Sequence, residues 1–444
     1  MGKPNIILQK VTDDSLVLSL NGQVQEIGNQ LTELKELLEK QQIQNIQYGD
    51  KIYNIEHINQ ANFDVVVGKK AFNEHLTKTL IEVIQPNSLP AQRFLEQAAK
   101  IANWESQVRI SNKAKEIIAY SFVGVIGIQL SKLMAIGKED FSEAKQRKYI
   151  QKCLFIGKKC LDLVSYAMLS KLWDARNQSD LVFAEGQTAV LEKFFDNSFE
   201  QSFMERFELI QVLCQLFSQQ ELAFPLPEIA DIVPYLENDG KLHEICLAFK
   251  KLNVTLDKAQ YNLLDCHTAE RQLATFFKYF HFLANYKMAS IKSIAYDQMR
   301  NASPHYLHHY SDLGVDSKAN IDAEKIAYTQ DVVHTDDVLL YQGQVYKKYP
   351  NLFPFVIDYN ALTFEHGSKI CFYHAANIYD NSLEYLFLED SSVVNIEYKG
   401  ILKNEADLPE LLMNDANRKV LKLDNVYNVF LQARNTILGL PLDF

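Results

Sequence analysis

A mainly α-helical fold with a C-terminal α+β domain is what this sequence predicts, on three observations. From Ala91 to Phe224 there is no proline, and apolar residues recur at helical spacing. Beyond Pro304 the pattern changes to short strand-like runs separated by turn residues. Only 16 glycines and 11 prolines occur among 444 residues, well below average usage of about 7% and 5%. That is too few for the many turns of an all-β sandwich or barrel. A chain of this length accommodates more than one domain, at roughly 100–200 residues each.

Residues 1–85 read as an assembly or adaptor segment. Leu20, Val24, Ile27, Leu31, Leu34 and Leu38 follow at intervals of 4, 3, 4, 3 and 4, the a/d seam of a coiled-coil-like helix. Gln25, Glu26, Glu33, Lys35, Glu36 and Lys40, between them, suit solvent. Such a stripe needs a partner helix. Self-association, a partner protein or the chain's own helical domain would each supply one. Next, Ile43, Ile46, Ile52, Ile55 and Ile58 recur in threes, with Gly49 in the gap and Ala61 in phase. Period three is neither the 3.6 of a helix nor the 2.0 of a strand. It fits a short 3₁₀ or polyproline-like stretch, strands wound about an axis shared between chains, or two short strands about a Gly49-Asp50 turn.

The helix predicted here, followed by Gly49-Asp50-Lys51-Ile52-Tyr53-Asn54-Ile55-Glu56-His57-Ile58-Asn59-Gln60-Ala61-Asn62-Phe63, resembles the effector-associated adaptor modules of bacterial conflict (anti-phage) systems. The resemblance covers about the first 85 residues. It implies recruitment of a partner by like-with-like association, in a defence setting, and brings no catalytic residues with it.

Pro86 and Pro90 bracket a turn, and a helical domain is expected over 91–303. Phe94, Leu95, Ala98, Ile101 and Ala102 share one helical face. Ile150, Leu154, Gly157, Leu161, Val164, Met168 and Leu172 form a second stripe, with Lys148, Lys152, Lys158 and Lys159 expected outward. Phe199, Phe203, Phe207, Ile210, Leu213 and Phe217 form a third. Pro225, Pro227 and Pro234 mark an irregular connection. Helical pattern, dominated by Leu273, Phe276, Phe277, Phe280 and Leu283, then resumes and runs to about Arg300.

An α+β domain is expected over 331–444. Strand-like runs cover Val338 to Tyr341, Val345-Tyr346, Phe353 to Ile357, Lys369 to Tyr373, Leu383 to Leu388 and Val393 to Tyr398. Their short spacings favour an antiparallel meander. In Leu383 to Leu388 both alternating faces are apolar, which predicts a strand covered on both sides. A closing helix with Val426, Val429, Phe430, Ala433 and Ile437, stopped at Gly439 and Pro441, would cover one face of the sheet.

Residues able to carry chemistry are scattered. The phosphate-binding pattern G-x-x-x-x-G-K-[ST] is absent, as are G-x-G-x-x-G, G-x-S-x-G and H-E-x-x-H. Gly124-Val125-Ile126-Gly127 lacks the lysine that a phosphate loop requires. His305, His308 and His309, followed by His334, Asp336 and Asp337, form the densest cluster. On a helix, His305 and His309 would align as two metal ligands can, although Pro304 and Gly314 place them at an element boundary. Cys266 and His267 are adjacent, which on a helix turns their side chains apart; His243 or His281 could meet Cys266 only through tertiary contact. Glu389-Asp390 and Asp336-Asp337 read as turn carboxylates, and Phe276 to Phe282 as core rather than a base-stacking surface.

A net charge of −11 argues against nucleic acid or an anionic membrane surface as the main partner. The longest mostly apolar stretch, Ile117 to Leu130, is shorter than the roughly 20 residues a bilayer requires, and no secretory signal is evident, so a cytoplasmic location is expected. The six cysteines contain no C-x-x-C pair, and neither disulfides, a metal nor a cofactor is expected. The preferred expectation is a non-enzymatic assembly and recognition protein, an adaptor or sensor that self-associates or docks a partner through its N-terminal segment. The alternative is a hydrolase or metal-dependent enzyme with a site near residues 305–337.

Overall fold

The computed structural model describes residues 6–10, 15–18, 43–48, 51–54, 72–98, 104–137, 142–238, 240–301, 303–314, 325–329, 334–343 and 349–441. The described chain begins with four short strands, β1 (Ile6–Lys10), β2 (Ser15–Leu18), β3 (Ile43–Tyr48) and β4 (Lys51–Asn54). They form an antiparallel sheet in the order β2-β1-β3-β4. Tyr48 stands opposite Lys51, so Ile43, Ile46 and Ile52 fall on a two-stranded hairpin. Leu20, Val24, Ile27, Leu31, Leu34 and Leu38, like Ile55, Ile58 and Ala61, lie outside the described residues.

Ten helices follow: α1 (Glu74–Ile84), α2 (Leu89–Ala98), α3 (Trp104–Ser121), α4 (Gly124–Ile136), α5 (Glu143–Gln178), α6 (Glu185–Phe195), α7 (Phe203–Gln219), α8 (Ile229–Ile232), α9 (Lys241–Asp257) and α10 (Leu263–Phe280). Helix α5 is the hub. It packs on α4, α7, α9 and α10, and every residue from Lys159 to Ser170 is buried. A helix apolar nearly all round belongs inside the protein rather than on its surface. Two expectations are corrected here. Lys159 does not face outward: it is 1% exposed, because the buried Asp162 carboxylate, which Arg206 also binds, pairs its charge inside. Phe199 precedes α7 and is 78% exposed, while Phe203, Phe207, Ile210, Leu213 and Phe217 are buried. Helix α7 starts after Phe199 because Ser202 caps it: its hydroxyl accepts from the Glu205 N–H, and the Glu205 carboxylate accepts from the Ser202 N–H.

Helix does not reach Arg300. After a 3₁₀ turn over His281–Asn285, the chain runs as strand β5 (Lys287–Asp297). This strand pairs with β6 (His305–Asp312) and β8 (Val338–Tyr341), and β6 pairs with β7 (Lys325–Thr329), giving the order β7-β6-β5-β8. Along this strand Met288, Ile291 and Ile294 stand three apart, a spacing that a helix also has. A β-bulge between Ile291 and Ser293 produces the second interval. Ile291 opposes Tyr310 and Ile294 opposes His308, so one extra residue, Lys292, leaves both isoleucines on the same face.

A second sheet has the order β12-β11-β10-β9, from β9 (Val356–Asp358), β10 (Ile370–Asn377), β11 (Ser382–Phe387) and β12 (Val393–Glu397). All its pairings are antiparallel. Strand β11 has buried residues of both alternations, as the sequence predicts. The short helices α11 (Tyr359–Thr363) and α12 (Leu408–Leu412) precede the long closing helix α13 (Asp415–Leu438). In α13, Val426, Phe430, Ala433 and Ile437 are buried, and Phe430 meets Phe195 of α6 and Tyr373 of β10. The chain is thus mainly α with a C-terminal α+β part. A large apolar core runs from Leu76 of α1 to Ile437 of α13, and a small separate cluster of Ala289, Ile291, Leu339 and Tyr341 lies on the β5–β8 sheet.

Candidate functional site

A cleft forms where α4 meets the second sheet. Its cause is local. A Cβ on Gly124, the first residue of α4, would lie 1.6 Å from the Leu313 carbonyl oxygen. Glycine alone lets the helix start against the chain leaving β6. Below this contact the walls enclose about 300 Å³. Val125, Ile128, Leu313, Ile370 and Leu388 make an apolar lining, and Gln129, Ser131, Lys132, Ser368, Lys369 and Glu389 supply the polar groups. Concave sites of this kind, apolar with a few converging polar groups, are where small ligands bind.

Helix α4 is tied to the sheet by two side chains. Gln129 Nε2 donates to the Leu388 carbonyl at 2.6 Å, and Lys132 Nζ donates to the Glu389 carbonyl at 2.5 Å. Lys152 of α5 stands behind this wall, and its Nζ donates to Gln129 Oε1 at 2.9 Å. Burial and the neighbouring Lys132 charge lower the Lys152 amine to about 8. On the opposite wall, Lys369 Nζ sits 3.6 Å over the Phe387 ring.

Ser368 owes its state to the β5 bulge. The extra residue, Lys292, points across to the second sheet. Its Nζ forms an ion pair with the buried Asp358 carboxylate and donates to the Gly367 carbonyl at 3.0 Å and to Ser368 Oγ at 2.8 Å. Three acceptors match the three N–H groups of an ammonium. Ser368 Oγ therefore accepts from a cation, and its own proton is available for the cleft. The arrangement offers a polarised hydroxyl donor, not a serine with a base to remove its proton.

A second group of charges lies inside the helical body. Asp162 accepts from Lys159 Nζ through Oδ2 and from Arg206 Nε through Oδ1, both at 2.6 Å. Burial opposes ionisation of Asp162, but Arg206 and Lys159 outweigh it and hold the carboxyl below the usual range. Glu200 reaches Lys158 at 3.0 Å and Arg206 Nη2 at 3.6 Å. Arg206 Nη1 and, on β10, His374 Nδ1 are buried without a hydrogen-bond partner among the described residues. No lining residue of the cleft belongs to this group, which joins α5 to α7.

The residues singled out in the sequence do not assemble into a catalytic centre. His305, His308 and His309 lie on strand β6, not on a helix or loop. Four residues of strand separate His305 from His309 by about 13 Å, too far to share an ion bound at about 2 Å. Among the described residues, no group of three His, Cys, Asp or Glu is placed to hold a metal ion. Asp336 takes a left-handed conformation and pairs with Lys422 at 2.8 Å, and Asp337 accepts from the His334 N–H at 2.9 Å, so both shape the turn before β8. Cys266 is buried, its thiol pushed up to about 12 by burial, while His267 stacks on Phe72. His243 lies against Phe207, and His281 Nδ1 is 3.0 Å from the Lys278 carbonyl oxygen. Asp390, beside Glu389, accepts from the Ser392 N–H and hydroxyl in the turn after β11.

Sequence reasoning missed the cleft because its residues come from four separate segments. The one local signal was Gly124, whose glycine serves close packing rather than phosphate. Among the described residues, no helix is long and apolar enough to cross a membrane. Comparison with protein-family models, curated proteins and solved structures found no match to this chain.

Proposed function

We propose that this chain is a non-enzymatic recognition protein, a cytoplasmic sensor or adaptor that reads a small ligand in the cleft between α4 and the second sheet. The observation that carries this reading is the cleft itself: an apolar pocket at the junction of helical body and sheet, with converging side chains that are already fixed. Its serine faces an ammonium rather than a base, which suits holding a ligand better than attacking one. Ligand in such a place touches both parts of the fold, so binding can be felt by each. The N-terminal segment would then couple recognition to self-association or to a partner, through Leu20, Val24, Ile27, Leu31, Leu34 and Leu38. A bacterial defence setting rests on the resemblance of that segment to effector-associated modules.

The test uses N-phenyl-1-naphthylamine, a neutral apolar fluorophore. Saturable binding at one site per chain is expected, lost in the cleft-filling variant Ile128→Trp. Binding that survives this substitution, or no binding at all, removes the cleft from consideration. Self-association is checked by light scattering on the full chain. Replacing Ile27, Leu31 and Leu34 together by Asp should lower the molar mass to the monomer value of 51.1 kDa, and an unchanged mass would reject the seam.

A further inference from the structure

We infer that the ligand of this cleft is amphipathic, an apolar body carrying an oxyanionic head (carboxylate, sulfonate or phosphate) held by Ser368, Lys369 and Lys132. The inference rests on the cleft reading above and adds the chemical class. Two of its polar side chains are cations, Lys132 and Lys369. Ser368 accepts from Lys292, which takes one of its two lone pairs and polarises the hydroxyl as a donor. Gln129 is engaged at both ends, its Nε2 with Leu388 and its Oε1 with Lys152, so it keeps one N–H and one lone pair in balance. Lys132 gives one proton to the Glu389 carbonyl, and an ammonium has two more.

The free hydrogen-bonding capacity is therefore mostly donor, and a donor-rich pocket selects an acceptor-rich group. Oxyanions supply that, and a charge makes each bond stronger than a neutral one. Lys152 adds positive charge behind the wall. Glu389 on the lining opposes these amines, leaving two lining lysines against one lining carboxylate. The apolar lining of Val125, Ile128, Leu313, Ile370 and Leu388 cannot complement a bare inorganic ion, which argues for a hydrocarbon body.

The experiment compares 8-anilinonaphthalene-1-sulfonate with N-phenyl-1-naphthylamine, which lacks only the sulfonate. The sulfonate is expected to bind at least about tenfold more tightly, the change that one charge-assisted hydrogen bond gives. Lys369→Gln, and independently Ser368→Ala, should each remove most of that advantage, read as the ratio of the two probes' affinities within the same variant. Glu389→Gln should tighten the sulfonate. Decanoate should displace it at concentrations where inorganic phosphate does not. Equal affinity for the two probes, or sulfonate affinity unchanged in both variants, overturns the oxyanion assignment while neutral-probe binding keeps the cleft. Displacement by inorganic phosphate as readily as by decanoate overturns the amphipathic half. If neither probe binds, the cleft reading and this inference fall together.

Discussion

At the scale of single residues, the unusual feature is a fully buried ion group at the centre of α5. Lys159, Asp162 and Arg206 are each under 5% exposed, and each needs the others. Replacing such a group by well-packed apolar residues is often harmless, whereas removing one partner strands the remaining charges. Asp162→Asn is therefore expected to cost about 3–5 kcal/mol at pH 7, read by urea denaturation; a loss under 1 kcal/mol would reject the cluster as an organising contact. The pH dependence follows from the same contacts. Because Arg206 and Lys159 hold the folded carboxyl below its unfolded value, the folded form keeps Asp162 ionised where the unfolded chain has begun to bind a proton. Its contribution is present above about pH 4 and fades as pH falls through the lower folded value. Wild-type stability should decline in that window more steeply than that of Asp162→Asn.

Secondary-structure elements show how one residue sets the geometry of a site. Gly124 lets α4 begin against Leu313, and the bulge at Lys292 aims an ammonium at Ser368. Gly124→Ala puts a methyl group where backbone already lies, so either α4 or the chain after β6 must move. A loss of about 3 kcal/mol or more is expected from this overpacking, together with weaker probe binding in the cleft. Thermal denaturation checks the first and fluorescence titration the second; an unaffected variant would mean that α4 is not seated by this contact. Gly439 is the contrasting case. It closes α13 in the left-handed conformation at φ 69°, its N–H donating to the Thr436 carbonyl, so its role is in ending a helix rather than shaping a site.

For the molecule as a whole, the continuity of the core matters most. Tyr166 of α5 stacks on Phe355 and donates to the Tyr373 carbonyl in β10, while Tyr373 donates to the end of α6. These buried contacts cross between helical body and second sheet, so neither can open without exposing the other's core. One cooperative unfolding transition is expected for the part from α1 to α13. Hydrogen exchange should give the amides of α5 and of β10–β11 the same slowest opening free energy. Sheet amides opening some 2 kcal/mol more easily would show an independent unit. A ligand in the cleft between them should raise both together.

The sequence was legible where a pattern is local. Apolar periodicity over α5, α7, α10 and α13, the strand-like runs over β10 to β12, and Gly439 as a stop each depend on neighbours within a few turns, and the structure agrees with them. It misled where a local pattern has two physical causes. Helix is expected to about Arg300, but a spacing of three such as that of Ile291 and Ile294 suits a helix turn or a bulged strand, and pairing with β6 makes it strand. It was silent about the candidate site. Lys159 looks like a surface lysine until Arg206, 47 residues further on, stands beside the same carboxylate. Ser368 has no special neighbours in sequence, and becomes a polarised donor only through Lys292, 76 residues earlier. Legible in the sequence were the long helices, strands β8 to β12 and the apolar faces that they bury, because backbone propensity and burial act over short range. Which charges meet, where a cleft stays open and what it presents were decided by the tertiary structure alone, because electrostatics and packing act through space between residues far apart in the chain.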